Sequence, residues 1–127
     1  MTAQHRERTA PMLAKICGAL SHPTRILLIC ELADQSRNVN DLAETLNTPQ
    51  SSISRHLKIL CDQGLVHSQR QGQFVEYKLV DDRVITALQT MRMIVLDVLR
   101  EQTALAHAVS ESRLIQSDSR NAEEHIS

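Results

Sequence analysis

The spacing of apolar side chains along the first half of the chain predicts four helices. Helical periodicity gives a first helix from about Ala10 to Ala19. A second helix opens at His22-Pro23, because proline is tolerated at the first helical position, and its apolar side chains lie almost all round, which indicates a buried central helix. A third helix from about Val39 to Leu46 and a fourth from about Gln50 to Gln63 follow, separated by the turn Asn47-Thr48-Pro49.

The periodicity changes from helix to strand after Gly64. Two segments, Leu65 to Arg70 and Gln73 to Val80, flank a Gln71-Gly72 turn and predict a β-hairpin. A long last helix follows Asp81-Asp82, whose carboxylates suit the positive end of a helix. This helix carries more apolar positions than one small domain can cover, so we expect a second copy of the chain to cover them.

Length and composition fit a single domain that is mainly α with a β-hairpin. The chain has 127 residues, of which 42% are hydrophobic and only 2% aromatic, so its core consists of aliphatic side chains that suit helix packing. We expect a flexible N-terminus over residues 1–9, one folded domain over 10–109 and a disordered polar tail over 110–127.

Neither a membrane span nor a secretion signal is evident in the sequence. No apolar run approaches the roughly 20 residues that a spanning helix needs, and the N-terminal residues are polar and charged. We therefore expect a cytoplasmic protein without a membrane partner, in which thiols stay reduced. The three cysteines are odd in number and widely spaced, so they do not form a disulfide framework.

Motifs of catalysis and cofactor binding are absent from the sequence. It contains no glycine-rich phosphate loop, no CxxC and no nucleophile elbow. Its histidines are not arranged at a metal-ligand spacing such as His-x₃-His. We therefore expect a protein that is not an enzyme and that holds neither a cofactor nor a metal ion at a standard site.

The order of the predicted elements is that of a winged helix-turn-helix, in which two short helices joined by a tight turn precede a hairpin. The second helix of the pair is expected to enter the major groove of double-stranded DNA, so we expect residues 10–109 to form a DNA-binding and dimerisation domain. From Arg55 to Lys78 basic side chains outnumber acidic ones, although the net charge of the chain is −1. We predict that the contacts come from the fourth helix and the hairpin tip, namely from Gln50, Ser51, Ser52, Ser54, Arg55, His56, Lys58, Arg70, Gln71 and Gln73.

Two other interpretations of this region stay open. The fourth helix could be a surface helix with solvated serines, although serine is a mediocre helix former and three of them near its start need a reason. A winged helix could also serve only protein–protein binding. Such a domain has no need for Arg55, Lys58 and Arg70 on the side of a serine-rich helix, which favours DNA.

The sequence resembles the ArsR-type (ArsR/SmtB) bacterial repressors over roughly Leu13 to Leu99. The similarity is carried by the segments Ala19–Leu27, Val39–Ala43, Ser51–Leu60, Gly64–Val66, Arg70–Gln73 and Tyr77–Leu79. The resemblance implies a winged-helix fold, a homodimer built from the first and last helices, and repression at an inverted-repeat operator. It also implies that repression ends when an inducer binds or a thiol is modified.

Two kinds of metal site known in this family are not expected in this chain. Asn38-Val39-Asn40 stands where arsenic and lead sensors carry a Cys-x-Cys pair, and amides are poor ligands for soft metals. Zinc sensors of the family carry carboxylate and histidine ligands along the last helix, and of these ligands only Asp82 is kept here. Val84, Val95 and Val98 follow it, and valine cannot bind a metal ion.

Cysteine chemistry is the remaining candidate for a signal. Cys30 lies where persulfide- and oxidant-sensing members place the first cysteine of a pair, whereas the last helix has Leu96 near the position of the second. We favour a thiol, persulfide or oxidant sensor with Cys30, Cys17 and Cys61 as candidates. A thiophilic metal or arsenite site built from these cysteines is the alternative, and buried structural thiols are the third interpretation.

Overall fold

Five helices and three short strands make up residues 2–126, the part of the chain that this computed structural model describes; side chains are described over residues 2–114. In chain order the elements are α1 (Ala3–Ala19), α2 (Pro23–Glu31), β1 (Arg37–Asn38), α3 (Val39–Thr45), α4 (Gln50–Asp62), β2 (Val66–Gln71), β3 (Phe74–Leu79) and α5 (Arg83–Ile126). The chain divides into two compact units, Met1–Thr86 and Ala87–Ser127, and the division falls within α5.

Helix α1 begins at Ala3 and not at the predicted Ala10. Thr2 is the N-cap, and its side chain accepts a hydrogen bond from the backbone N–H of His5 at 3.3 Å. Pro11 lies inside the helix, where it lacks the N–H that a helix interior uses. Residues 3–9 are therefore helical, whereas the sequence predicts a flexible segment there; the domain boundary at residue 10 stays a prediction.

The core of the first unit is aliphatic, as the composition predicts. Helix α4 contacts α2, α3 and β2, so it lies at the centre of this unit. The largest fully buried side chains are Leu28, Ile29, Leu42, Ile53, Leu57, Leu60 and Val66. Burial of a side chain of this size stabilises the fold by roughly 1.5–3 kcal/mol, so these side chains hold α4 firmly in place.

Helix α2 is buried on one side only, which corrects the expectation of a helix buried all round. Leu28 and Ile29 are inaccessible to solvent. Ile26 and Leu27 are exposed, and so is Cys30 near the end of the helix. This nine-residue helix therefore carries more apolar side chains than the single chain buries.

The hairpin and a short third strand form an antiparallel sheet in the order β1-β3-β2. Strand β1 is missing from the predicted elements, because two residues are too few to show an alternating pattern. Gln71 pairs with Phe74, so the turn consists of Gly72 and Gln73 and begins one position later than predicted. Gly72 has a φ of +63°, which a residue without a Cβ adopts at no steric cost.

Helix α5 is capped by Asp81, which confirms one of the two predicted capping carboxylates. Its Oδ1 accepts a hydrogen bond from the backbone N–H of Arg83 at 2.8 Å. The side-chain hydrogen bond from Arg83 also lowers the pKa of Asp81 to about 2. The helix runs to Ile126, beyond the point where the apolar pattern ends. The predicted disorder of 110–127 reaches outside the described residues at Ser127 and stays a prediction.

No single helix among the described residues is long and apolar enough to cross a membrane. Helices α1 and α2 reach the required length and hydropathy only as a pair, and that pair is bent by 89°.

Candidate nucleic-acid interface

A tight turn joins α3 to α4, and its residues suit the backbone conformation and hydrogen bonds that it needs. Asn47 has a φ of +47°, a left-handed conformation that asparagine tolerates better than most residues. The backbone N–H groups of Asn47 and Thr48 donate to the carbonyl oxygens of Glu44 at 3.2 Å and Ala43 at 3.0 Å. These bonds close the C-terminal end of α3, so that α4 starts immediately after Pro49.

Helix α4 has a buried face and an exposed face. Ile53, Leu57 and Leu60 are fully buried and hold the helix against its neighbours. The other side carries most of the residues predicted to contact DNA: Gln50, Ser51, Ser54, Arg55 and Lys58 are exposed, and Ser52 is partly buried. A rigid helix thus presents a row of short hydrogen-bonding side chains and two cations to solvent.

The N-terminus of α4 suits a phosphate group. Its first turn contains no acidic residue, and Pro49 supplies no side-chain hydrogen bond to the N–H groups of that turn. The partial positive charge at this end of the helix is therefore not neutralised by a side chain of its own first turn. Backbone N–H groups at such an end are donors to an anion, and the exposed side chains of Gln50 and Ser51 lie beside them.

Lys58 is paired in the free chain. Its Nζ lies 3.3 Å from Oδ2 of Asp62, one helical turn further on, and both side chains are largely exposed. An exposed pair of this kind contributes only about 0–1 kcal/mol. The ammonium group of Lys58 can therefore exchange Asp62 for a phosphate at little cost.

His56 faces α2 and not open solvent, although the sequence places it beside the DNA-facing surface. Its Nδ1 lies 3.2 Å from Nη1 of Arg25, and its ring centroid lies 4.4 Å from that of His22. Burial is the largest cause that lowers the pKa of His56, and the charges of His22, Arg25 and Arg55 lower it further. A direct contact of His56 with DNA stays a prediction.

The tip of the β2–β3 hairpin extends the polar surface. Arg70 and Gln71 at the end of β2 and Gln73 in the turn are exposed. The hairpin is anchored at its other end by Val66 and Leu79, which are paired across the strands and buried. The tip thus carries one cation and two amides at the end of a ribbon, where they are free to contact a backbone phosphate.

Sequence reasoning missed Phe74, the one phenylalanine of the chain. Its side chain is 58% exposed directly after the hairpin turn. The alternation along β3 signals this position, since Leu79 on the same strand points to the core and residues of opposite parity point away from it. An exposed aromatic ring at a hairpin tip offers an apolar surface beside the polar side chains.

The three cysteines are free and differ in exposure. Cys17 and Cys30 are exposed in the single chain, which contradicts the interpretation of both as buried thiols, and Cys61 is partly buried. Burial raises the pKa of the Cys61 thiol, the charge of Asp62 raises it further, and Lys58 opposes the change. Because the thiolate is the reactive form, Cys61 is disfavoured as a nucleophile.

Candidate metal ligands do not cluster in the described part of the chain. No group of three or more His, Cys, Asp or Glu side chains there is placed to hold a metal ion. The pair formed by His22 and His56 lacks a third ligand among these residues, and Arg25 lies against it.

Comparison with known proteins gives matches centred on this region. A family model described as bacterial regulatory protein, arsR family, matches residues 22–68, a range that contains α2, β1, α3 and α4. The HTH-type transcriptional repressor SmtB of Mycobacterium tuberculosis is 39% identical over 67 residues, which are 53% of this chain and 50% of the relative. The chain thus spans about half the length of the SmtB relative that it matches.

Two further matches cover more of their partners. The HTH-type transcriptional regulator NmtR of Mycobacterium tuberculosis is 33% identical over 81 residues, which are 64% of this chain and 68% of the relative. The crystal structure of the transcriptional repressor BigR from Xylella fastidiosa has a TM-score of 0.63 and 29% identity, and the match covers 72% of this chain and 96% of that one. A TM-score of this size over nearly the whole of the BigR chain indicates that the two chains share a fold.

Proposed function

Since this chain belongs to the arsR family of bacterial regulatory proteins, we propose that it represses transcription by binding an inverted-repeat operator in double-stranded DNA as a homodimer. The observation that carries this proposal is the exposed face of α4 together with the hairpin tip. Three cations, Arg55, Lys58 and Arg70, are exposed there among serine and glutamine side chains. Amide and guanidinium groups read base edges in the major groove, while hydroxyl and ammonium groups bind phosphates.

The homodimer is supported by apolar side chains that the single chain leaves exposed. On α5, Met91, Val95 and Val98 follow one another at spacings of four and three residues and are each about half exposed. On α1, Met12 and Leu13 are exposed as well. Self-association through these helices would cover the apolar faces and place two copies of α4 at two half-sites.

Replacement of Arg55 by alanine should weaken operator binding by about 1–3 kcal/mol while leaving the homodimer intact. The side chain is exposed and no core contact depends on it. Fluorescence anisotropy with a labelled duplex from the promoter region of the chain's own gene measures the affinity. Arg100→Ala is the matched control, because that arginine is 80% exposed on α5, away from α4 in the sequence.

The same titration separates DNA binding from the rival function of protein–protein binding. A repressor prefers its own promoter duplex to a shuffled duplex of equal length, and Arg55→Ala reduces that preference. Equal, weak binding of both duplexes by the unaltered chain would leave the winged helix as a module for protein partners. An unchanged preference in Arg55→Ala would move recognition to other residues.

For the signal, we propose that modification of Cys30 releases the repressor from DNA. Support comes from its exposure at the end of α2 and from its place beside the exposed apolar side of that helix. Its thiolate would attack a polysulfide, take up one sulfur atom as a persulfide and release a polysulfide that is one sulfur shorter. A charged persulfide on this apolar side alters the surface that α2 presents.

The variant Cys30→Ser should bind the operator normally and stay bound when polysulfide is added, whereas the unaltered chain should dissociate. Anisotropy before and after the addition gives the result, with Cys61→Ser as the control because that thiol is disfavoured as a nucleophile. Release of Cys30→Ser by polysulfide would remove this cysteine from the mechanism. Release of the unaltered chain by arsenite, but not by polysulfide or peroxide, would favour the alternative of a thiolate metalloid site.

A further inference from the structure

One guanidinium group joins the end of α1 to the recognition helix α4. The Nε of Arg25 donates to the carbonyl oxygen of Ala19 at 2.5 Å, and its Nη2 lies 3.5 Å from the carbonyl oxygen of Gly18. Its Nη1 lies 3.2 Å from Nδ1 of His56. Arg25 itself belongs to the first turn of α2, so its side chain connects three helices.

The contact between Arg25 and His56 fixes the protonation state of the histidine. A guanidinium group has only N–H donors, so Nδ1 of His56 must accept the hydrogen bond with a lone pair. The imidazole of His56 is therefore neutral and carries its proton on Nε2. The ring of His22 lies against that of His56, and its Nδ1 accepts a hydrogen bond from the backbone N–H of Thr24 at 3.1 Å.

The surroundings of His56 oppose a positive charge on it. The charged and titratable groups that act on it are His22 and Arg25 from the start of α2 and Arg55 from its own helix, and none of the three is an acid. Burial disfavours the charged form as well, and together these causes lower its pKa from 6.5. The neutral form that the hydrogen bond needs is thus also the form that the electrostatics favour.

We propose that Arg25 and neutral His56 form a positioning contact that holds the recognition helix in its DNA-reading position relative to α1 and α2, and that acid breaks this contact. This inference rests on the proposed function as a DNA-binding repressor. Protonated His56 turns Nδ1 into a donor that faces the donor of Arg25, so the hydrogen bond is replaced by repulsion. Arg55, the predicted base contact, is the neighbour of His56 in the chain and moves with it.

Acid has two opposite effects on DNA binding, and only one of them depends on the DNA sequence. Protonation of His56 adds a positive charge near the DNA, which strengthens attraction to any phosphate backbone. Loss of the positioning contact weakens only the fit to the operator. The diagnostic quantity is therefore the ratio of operator affinity to affinity for a shuffled duplex, because the phosphate term cancels in it.

For the unaltered chain we expect this ratio to fall by about three- to tenfold between pH 7.5 and pH 5.5, the net effect of one hydrogen bond. The variant His56→Asn keeps a carbonyl acceptor near the position of Nδ1 and does not titrate. Its ratio should therefore be the same at both pH values. His67→Asn is the control, since His67 is exposed on β2, and it should show the fall of the unaltered chain.

A second readout tests the contact without DNA. The free energy of unfolding should drop between pH 7.5 and pH 5.5, because His56 binds a proton more readily in the unfolded chain than in the folded one. The stabilisation is present above pH 6.5 and disappears as the pH falls through the lowered pKa of His56. In His56→Asn this drop should be smaller than in His67→Asn, as measured by urea unfolding of the full chain.

The outcomes separate this inference from the proposed function. Failure of the unaltered chain to prefer its operator at pH 7.5 would contradict the proposed function and with it the role in DNA reading. A clear preference at pH 7.5 that is unchanged at pH 5.5, or a fall that persists in His56→Asn, would overturn the positioning contact alone. A further variant, Arg25→Lys, tests the arginine side of the contact. One ammonium group cannot reach both Ala19 and His56, so the preference of this variant for the operator should be reduced at pH 7.5.

Discussion

Replacement of Leu57 by alanine is expected to lower the free energy of unfolding by about 2–5 kcal/mol. Leu57 is fully buried in the middle of α4, which contacts α2, α3 and β2. The truncation removes apolar contacts on the buried side of the recognition helix, which packs against the rest of its unit. Since small domains have a net stability of about 5–15 kcal/mol, this change removes a large part of it.

Urea unfolding followed by circular dichroism measures this effect. Lys58→Ala is a suitable control, because the adjacent lysine is exposed and loses only an ion pair with Asp62. We expect the control to stay within about 1 kcal/mol of the unaltered chain. A loss of less than about 1 kcal/mol for Leu57→Ala would mean that α4 is not held in place by its apolar face.

The second large effect concerns the homodimer. Val95→Glu should convert the dimer to a monomer and weaken operator binding by roughly 10²–10⁴-fold, the advantage of two linked half-site contacts over one. Val95 is 54% exposed in the single chain and lies between Met91 and Val98 in the apolar row of α5. A carboxylate placed in a covered apolar interface carries the cost of burying an unpaired charge.

The control for this variant changes the opposite side of the same helix. Met93→Glu introduces the same charge at a position that is 66% exposed. Met93 does not belong to the row of apolar residues spaced by three and four positions, so it lies on another side of the helix. Analytical ultracentrifugation should find Met93→Glu dimeric and Val95→Glu monomeric. A dimeric Val95→Glu would show that the copies associate through another surface, such as the exposed side of α2.

The helix-turn-helix follows from local rules, which is why the sequence predicts it well. Helix α2 begins at Pro23, directly after its N-cap residue His22, and α4 begins directly after Pro49. Gly64, with a φ of +74°, lies between the end of α4 and the start of β2. Each boundary depends on residues within one turn of it, so a single sequence contains the information.

Features that depend on distant residues could not be predicted in this way. The sequence places His56 beside the DNA-facing surface, whereas its ring is bonded to Arg25, 31 positions earlier. Strand β1 exists because Arg37 and Asn38 pair with β3, and two residues carry no period of their own. The exposure of Cys30 likewise depends on which side of α2 packs against α4, not on the local pattern.

The most direct test of the central proposal is selection of binding sites from a pool of random double-stranded DNA with the unaltered chain. We expect enrichment of an inverted repeat whose half-site centres lie about 10 base pairs, or a multiple of that distance, apart. We also expect weaker enrichment of that repeat by Arg55→Ala under the same salt conditions. Sequences that stay random after selection, or a repeat that Arg55→Ala enriches equally well, would contradict recognition of an operator by the exposed face of α4.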